Sequence, residues 1–168
     1  PQTGQQGRLV RKILVAQDVY YPGEHDIREF YVSILLNRQS GRNVVVYSPS
    51  GGMDIETVAD QTPHLIFREE IVPGSGLLSF QCRRIAFNLG LKGKANREME
   101  MFLQALYRAY EGSDAALMEI NPVLKCSDDR IVAVDAKITL DDNAWFRHPN
   151  LHALRDFDEE DPAEVEAS

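Results

Sequence analysis

The chain opens with short apolar runs bounded by polar turns, a pattern that predicts β-strands. The β-branched run from Leu9 to Val15 predicts an entering strand, and the following "YPGEHD" predicts a loop. Residues 28–48, "REFYVSILLNRQSGRNVVVYS", predict two antiparallel strands joined by a turn at residues 38–43. Because the apolar runs of this hairpin are almost continuous, we expect it to be buried on both faces.

The middle of the chain changes to helical periodicity. Apolar positions at i, i+3, i+4 and i+7 predict a short helix within residues 53–62, ended by the proline that follows. A strand is predicted at residues 64–72, and two longer helices follow, one within residues 77–91 that ends at Gly90 and one at residues 95–110. The inward-facing stripes of the three helices are Ile55, Val58, Ala59 and Thr62, then Leu78, Cys82, Ile85, Ala86 and Leu89, then Met99, Phe102, Leu103, Leu106 and Tyr110.

The last strands are predicted in residues 117–137, "LMEINPVLKCSDDRIVAVDAK", which form a hairpin with its turn at "SDDR". A loop-rich segment follows this hairpin. The order of elements is two or three strands, a short helix, a strand, two long helices and a hairpin. This order predicts an α+β fold in which helices cover a largely antiparallel sheet.

Composition excludes several classes of protein. The chain has 168 residues, 43% of them hydrophobic and 26% charged, which is typical of one well-packed globular domain. No apolar run approaches the roughly 18 residues that a membrane span needs, and the N-terminus lacks the features of a signal peptide. We therefore expect no membrane partner and a cytoplasmic location.

Cys82 and Cys126 have no metal-binding spacing and are expected to be reduced core residues.

The net charge of −8 comes from one end of the chain. Seven of the 26 acids lie between residues 156 and 166, so that 19 acids face 18 bases in the rest of the molecule. This balance does not favour a nucleic-acid partner. We interpret residues 156–168 as an acidic linker and residues 1–18 as a linker with an entering strand, and we expect the chain to be a piece of a longer protein.

Three polar side chains interrupt the closing hairpin. Glu119 and Asn121 are two residues apart on one strand and therefore point to the same face. With "SDDR" as the turn, paired residue numbers sum to about 257, which places Asn121 opposite Ala136 or, after a one-residue bulge, opposite Asp135. Opposed side chains have Cβ atoms about 4.5 to 5.5 Å apart. An amide oxygen and two carboxylates would supply the oxygen ligands that Mg²⁺ prefers.

The alternative is that this face is open to water and the three side chains are simply solvated. The alternation with apolar neighbours is compatible with such a half-exposed strand. A buried carboxylate would instead have its pKa raised by roughly 3 to 5 units unless a cation compensated its charge.

Two other candidate sites are less specific. The glycine pair in "YSPSGGMDIE" precedes a predicted helix and exposes N–H groups that suit an anion, although such a sequence is more commonly a turn with a helix cap. Glu29 lies at the start of an apolar strand. It is suited to accept a hydrogen bond from a sugar hydroxyl, or it is simply an exposed residue at the end of a strand. The chain contains no Walker or dinucleotide-binding glycine motif, and its four histidines do not predict nucleophilic catalysis.

The combination of "MEINPVLK", the aspartate of "VDAK" and "NAWFR" resembles the beta subunits of the succinyl-CoA synthetases, a family of ATP-grasp acyl-CoA ligases. The resemblance extends to "REFYVSILLNR", "SGGMDIETVADQTPHLI" and "RRIAFNLGLKG", and so spans almost the whole chain. It implies an ATP-grasp portion at residues 19–155, followed by a linker toward a missing C-terminal CoA-ligase domain, in a cytoplasmic enzyme of bacterial type.

The resemblance also implies a chemistry. In this family a succinate-CoA ligase (ADP- or GDP-forming) couples ATP or GTP to thioester formation from succinate and coenzyme A, through a phosphohistidine on the alpha subunit. By motif, Asn121 and Asp135 would bind Mg²⁺, and Glu119 would meet the phosphohistidine. Glu29 would contact the nucleotide at its ribose in the family pattern, and Gln17 stands next to the position where the family often has a glutamate beside the adenine.

The chain also departs from the family pattern. Ala16 and Gln17 replace the usual hinge acid, and the loop "YYPGEHD" is longer. An earlier phosphate-binding segment and a later succinate-binding domain lie outside this sequence, so the isolated chain is expected to be inactive. A related ligase that acts on malate and a noncatalytic interaction module that keeps the fold are the two alternatives.

Overall fold

The computed structural model describes residues 13–154, in which six strands form one antiparallel sheet. The strand order is β3-β2-β1-β4, and β5 and β6 both pair with the free edge of β4. This is the α+β architecture with a largely antiparallel sheet that the sequence predicts. The strands are β1 (Arg28–Asn37), β2 (Arg42–Ser48), β3 (Phe67–Glu70), β4 (Ala115–Lys125), β5 (Ile131–Ala133) and β6 (Ala136–Leu140), and the helices are α1 (Ile55–Gln61), α2 (Ser79–Asn88), α3 (Gly93–Gly112) and α4 (Pro149–His152), with 3₁₀ turns at Pro63–Leu65 and Asp142–Arg147.

The helices α2 and α3 provide the apolar cover of the sheet. Their buried residues form one core with Phe30, Val32 and Ile34 of β1 and with the inward residues of β2 and β4. The predicted stripes are confirmed for most positions, because a helix that lies on a sheet buries one face. Two positions differ: Leu78 precedes the first residue of α2 and is 41% exposed, and Ala59 of α1 is exposed while its neighbour Val58 is buried.

The prediction that the first hairpin is buried on both faces is confirmed along the middle of β1. Tyr31 and Ser33 alternate with the core residues of this strand, yet both are almost fully buried. The two cysteines are also buried and free, as the sequence predicts. None of the helices in the described part of the chain combines the length and the hydropathy needed to cross a bilayer.

The predicted entering strand is wrong where it is described. Ile13, Leu14 and Val15 form no strand, and each side chain is more than 80% exposed. A β-branched run forms a stable strand only when a neighbouring strand pairs with it, and none pairs with it in residues 13–154. The first twelve residues of the predicted linker, and the predicted acidic linker at residues 156–168, lie outside the described residues.

The closing hairpin differs from its prediction by one residue. Paired numbers sum to 256, as in Lys125 with Ile131 and Ile120 with Ala136, so the strands turn through five residues. Asn121 therefore lies opposite Asp135, and no bulge is needed between Asn121 and the turn to place it there. The second half of the hairpin is also divided, because β5 ends at Ala133 and β6 begins at Ala136.

A bulge occurs instead between β4 and β1. Phe30 pairs with Val123 and Val32 pairs with Ile120, which leaves two residues of β4, Asn121 and Pro122, facing Tyr31. The Asn121–Pro122 peptide bond is cis. Bulges change the direction of side chains locally, and this one lies at the residue that the sequence singles out as a metal ligand.

Candidate functional site

The glycine-rich loop between β2 and α1 lies directly on the start of β1. The backbone N–H of Gly51 donates a hydrogen bond to the carbonyl oxygen of Glu29, at 3.3 Å. A Cβ atom at Gly51 would lie 2.5 Å from the backbone nitrogen of Phe30, closer than real contacts allow. Glycine is therefore required here because the two backbones approach without space for a side chain.

Asn121 holds the next two residues of this loop. Its Oδ1 accepts a 2.8 Å hydrogen bond from the N–H of Gly52, and its Nδ2 donates a 3.0 Å hydrogen bond to the carbonyl oxygen of Met53. An N–H group can only donate and a carbonyl can only accept, so these two partners fix which end of the carboxamide is the oxygen. Gly52 has a φ of 74°, which glycine adopts without strain.

Asp135 lies beside Asn121 in the break between β5 and β6. The backbone N–H of Asn121 donates to the carbonyl oxygen of Asp135 at 3.2 Å. The side chain of Asp135 is exposed, and its Oδ1 accepts a 2.9 Å hydrogen bond from the N–H of Ala136. Among the described residues its Oδ2 has no protein partner, so one carboxylate oxygen remains available to a ligand.

Glu119 lies two residues before Asn121 on β4 and is half-buried. Its Oε2 accepts a 2.7 Å hydrogen bond from the hydroxyl of Tyr31, which is 4% exposed. Burial and, to a smaller extent, the carboxylate of Glu119 raise the pKa of Tyr31 above its usual range. Tyr31 is therefore a neutral hydrogen-bond donor at every physiological pH.

Glu29 lies on the other side of the glycine loop. Its Oε1 accepts a 2.6 Å hydrogen bond from the hydroxyl of Tyr20, and this bond raises the pKa of Tyr20 to about 12. Its Oε2 occupies the space that a Cβ atom at Gly52 would need. The loop is thus enclosed between Glu29 on β1 and Asn121 on β4.

The structure brings together four of the five residues that the sequence and the family resemblance indicate. Glu29 and Asn121 lie against the glycine loop, Asp135 lies beside Asn121, and Glu119 lies two residues before Asn121 on β4. Gln17 is exposed in the irregular segment before β1 and makes no side-chain hydrogen bond with the other four in the described chain.

Sequence reasoning missed Tyr31 and Tyr20, which hold two of the acids. The signal for Tyr31 was its spacing, because Glu29, Tyr31 and Ser33 alternate with core residues and share one side of β1. Nothing in the sequence indicates Tyr20, because its contact depends on the path of an irregular segment.

The donor set fits a divalent cation that keeps much of its hydration. Oδ1 of Asn121 has a second lone pair beyond the one that Gly52 uses, and Asp135 offers a free carboxylate oxygen. No cluster of three or more His, Cys, Asp or Glu side chains with metal-binding geometry occurs within residues 13–154. Two protein oxygens suit Mg²⁺, which binds through one or two protein ligands with water and phosphate completing its octahedron.

Comparison with known proteins assigns this architecture to a family. A model of the ATP-grasp domain matches residues 1–125. A solved structure of ATP citrate lyase from Methanothrix soehngenii in complex with citrate and coenzyme A superposes with a TM-score of 0.60. The match covers 79% of this chain and 28% of that one at 22% identity, and it therefore concerns the fold alone.

Curated relatives match at much higher identity. The protein named succinate–CoA ligase (ADP-forming) subunit beta from Flavobacterium johnsoniae is 63% identical over 167 residues. The protein of the same name from Flavobacterium psychrophilum is 62% identical over the same length. In both comparisons the match covers 99% of this chain and 42% of the relative, so the chain spans less than half the length of these relatives.

Proposed function

The chain belongs to the ATP-grasp domain family, and from this premise we propose that it forms the nucleotide- and magnesium-binding part of a succinate–CoA ligase beta subunit. One observation carries the proposal. The Asn121 carboxamide is oriented by Gly52 and Met53, and the free carboxylate oxygen of Asp135 lies on the opposing residue. This arrangement presents two oxygen ligands to a hydrated divalent ion, beside a glycine loop whose two glycine N–H groups are already bonded to Glu29 and Asn121.

Asn121 and Asp135 would hold the Mg²⁺ ion in this proposal. The ion, when bound, would neutralise negative charge on phosphate oxygens, which is the main requirement of phosphoryl transfer. The chain's own contribution is positional. The two hydrogen bonds from Asn121 to the glycine loop fix the amide oxygen before any ligand arrives, so that little ordering remains to be done on binding.

Glu29 and Gln17 would contact the nucleotide. Glu29 is held in place by Tyr20 and faces the loop, which suits a carboxylate that accepts hydrogen bonds from a ribose. Gln17 is exposed near the start of the described chain and would act at the base. The relatives from the two Flavobacterium species are named as ADP-forming ligases, which favours ATP over GTP.

Glu119 would face the partner. We place it against a phosphohistidine on an alpha subunit, where its carboxylate would accept a hydrogen bond from the imidazole. Residues 19–155 would be the main ATP-grasp portion, and residues 156–168 would lead to a CoA-ligase domain that helps to bind succinate and coenzyme A. A cytoplasmic location is part of the same proposal.

The test uses the full-length subunit that contains this chain, assembled with its alpha partner. We expect Mg²⁺-dependent transfer of the γ-phosphate of ATP to a partner histidine, and we expect Asp135→Ala to abolish that transfer at millimolar Mg²⁺. Asp128→Ala is the matched control, because it removes an exposed acid from the turn of the same hairpin, where its carboxylate forms an ion pair with Arg130. Unimpaired transfer by Asp135→Ala would sink the metal-ligand assignment.

The same assembly separates the alternative functions. Thioester formation from malate in preference to succinate would move the assignment to the related malate-CoA ligases. Absence of phosphorylation in the wild-type assembly would favour a noncatalytic module, although such a module has no physical need to retain Glu119, Asn121 and Asp135 in convergence.

A further inference from the structure

A buried tyrosine connects β1 to the acid that faces the proposed partner. The hydroxyl of Tyr31 donates to Oε2 of Glu119 at 2.7 Å, between residues that are 88 positions apart in sequence. Tyr31 also occupies the bulge, where two residues of β4 face this single residue of β1. The tyrosine therefore reaches Glu119 from the register shift in the pairing of β1 with β4.

No other described side chain shares this role. Ser33 pairs directly with Glu119 in the β1–β4 register and is fully buried, but its hydroxyl has no hydrogen-bond partner among the described residues. Lys137 pairs with Glu119 from the other side, in β6, and is exposed. In residues 13–154 the Glu119 carboxylate has its side-chain hydrogen bond with Tyr31 alone.

The bond has a geometric consequence for the acid. A glutamate has three side-chain torsions, and a half-buried one without a fixed partner would populate several rotamers at an entropic cost on ordering. Tyr31 is rigid because its ring is packed in the sheet, and it remains protonated because burial raises its pKa. With Oε2 occupied, Oε1 is the oxygen left to accept a hydrogen bond from an incoming group.

We propose that Tyr31 is a positioning residue for Glu119, which fixes the carboxylate rotamer so that Oε1 is presented to the imidazole of the partner's phosphohistidine. The proposal rests on the function proposed above, since it assigns Tyr31 a task in that same site. Tyr31 does not contact the reacting groups and acts only through Glu119.

Tyr31→Phe tests the proposal in the full-length subunit assembled with its alpha partner. The change keeps the packed ring and removes only the donor, and a hydrogen bond to a charged group corresponds to roughly a 10- to 100-fold effect on rate. We expect the rate of partner phosphorylation to fall by about that factor, while the KM for ATP changes less than about threefold. A purely structural role would not separate these two parameters.

Tyr47→Phe is the matched control. Tyr47 is as buried as Tyr31, lies on the neighbouring strand, and accepts a 2.7 Å hydrogen bond from Asn88 in the core. We expect Tyr47→Phe and Tyr31→Phe to lower the melting temperature by similar amounts. Tyr47→Phe should leave the phosphorylation rate within about twofold of wild type, because the Tyr47 hydroxyl bonds Asn88 and not Glu119.

Crystal structures of the wild-type and Tyr31→Phe subunits supply a readout that does not depend on activity. We expect one Glu119 rotamer in the wild type and more than one in the variant. An unchanged single rotamer in Tyr31→Phe, or a wild-type rate in that variant when Glu119→Gln is impaired, overturns the positioning role. Loss of transfer in the wild-type assembly overturns the proposed function instead, and the rotamer comparison still decides whether Tyr31 orders Glu119.

Discussion

The carboxamide of Asn121 accepts a 2.8 Å hydrogen bond from the backbone N–H of Gly52. These two residues are 69 positions apart in sequence, and they join the bulged part of β4 to the loop that leads into α1. The proposed metal ligand and the glycine loop are therefore joined directly to each other. A substitution at either residue is expected to change the position of the other.

Asn121→Ala should release the glycine loop. The variant loses two hydrogen bonds, to Gly52 and to Met53, and we expect the free energy of unfolding to fall by about 1 to 2 kcal/mol. Amide hydrogen exchange at Gly52 should become faster. Asn37→Ala is the control, because Asn37 makes its side-chain bond within the distant β1–β2 turn. Equal rates of amide exchange at Gly52 in the two variants would contradict the hydrogen bond between Asn121 and Gly52.

Gly51→Ala should destabilise the chain although alanine is the better residue in most loops. Its Cβ would meet the backbone of Phe30, which cannot move without disturbing β1, and we expect a loss of about 1 to 3 kcal/mol in denaturant unfolding. Gly112→Ala, at the end of α3, meets no atom within 4 Å and should be neutral or stabilising. Similar stabilities of the two variants would show that the loop does not approach β1 this closely.

The hydrogen bond between Tyr20 and Glu29 predicts a pH dependence. Because the bond raises the pKa of Tyr20 to about 12, above the roughly 10 of an unfolded chain, its stabilising contribution is present below about pH 10 and is lost as the pH rises toward 12. Glu29→Gln should lower the pKa of Tyr20 toward its ordinary value. An NMR titration of the tyrosine rings, with Tyr20→Phe to assign the signal, measures it, and an unaltered pKa would refute the contact.

Ser33→Ala should not destabilise the chain. The Ser33 hydroxyl is buried without a hydrogen-bond partner among the described residues, so its removal eliminates a desolvation cost, and we expect unchanged stability or a gain of about 1 kcal/mol. Ser48→Ala makes the comparison, because the equally buried Ser48 accepts a 3.1 Å hydrogen bond from the N–H of Ser50. A loss in Ser33→Ala as large as that in Ser48→Ala would mean that the Ser33 hydroxyl is paired in solution.

Local pattern was sufficient for most elements of the fold. The i, i+3, i+4 spacing that ends at Leu89 predicted α2, and Gly90, with a φ of 72°, follows its last turn as expected of a helix-terminating glycine. The prediction of a strand from Leu9 to Val15 was wrong for the residues that are described, because the stability of a strand depends on a pairing partner that its own sequence does not specify.

The sequence by itself determined the acids and the amide of the candidate site and the strands on which most of them lie, but not the tyrosines that hold two of the acids. The spacing of Glu119 and Asn121 and a turn before Asp135 were enough to predict that these three side chains lie near one another, because side-chain direction repeats every two residues along a strand. Gln17 shows the limit of this reasoning, since an irregular segment has no repeating geometry to fix its position.

Only the tertiary structure decided how those residues are held. The bulge opposite Tyr31 and the contact of Asn121 with the glycine loop join segments that are distant in sequence. The register of the closing hairpin and the contact of Tyr20 with Glu29 are local in sequence, yet they too depend on the surrounding structure. Each depends on the distance between separate segments of the chain. Such distances are set by the packing of the whole sheet against α2 and α3, which no local pattern encodes.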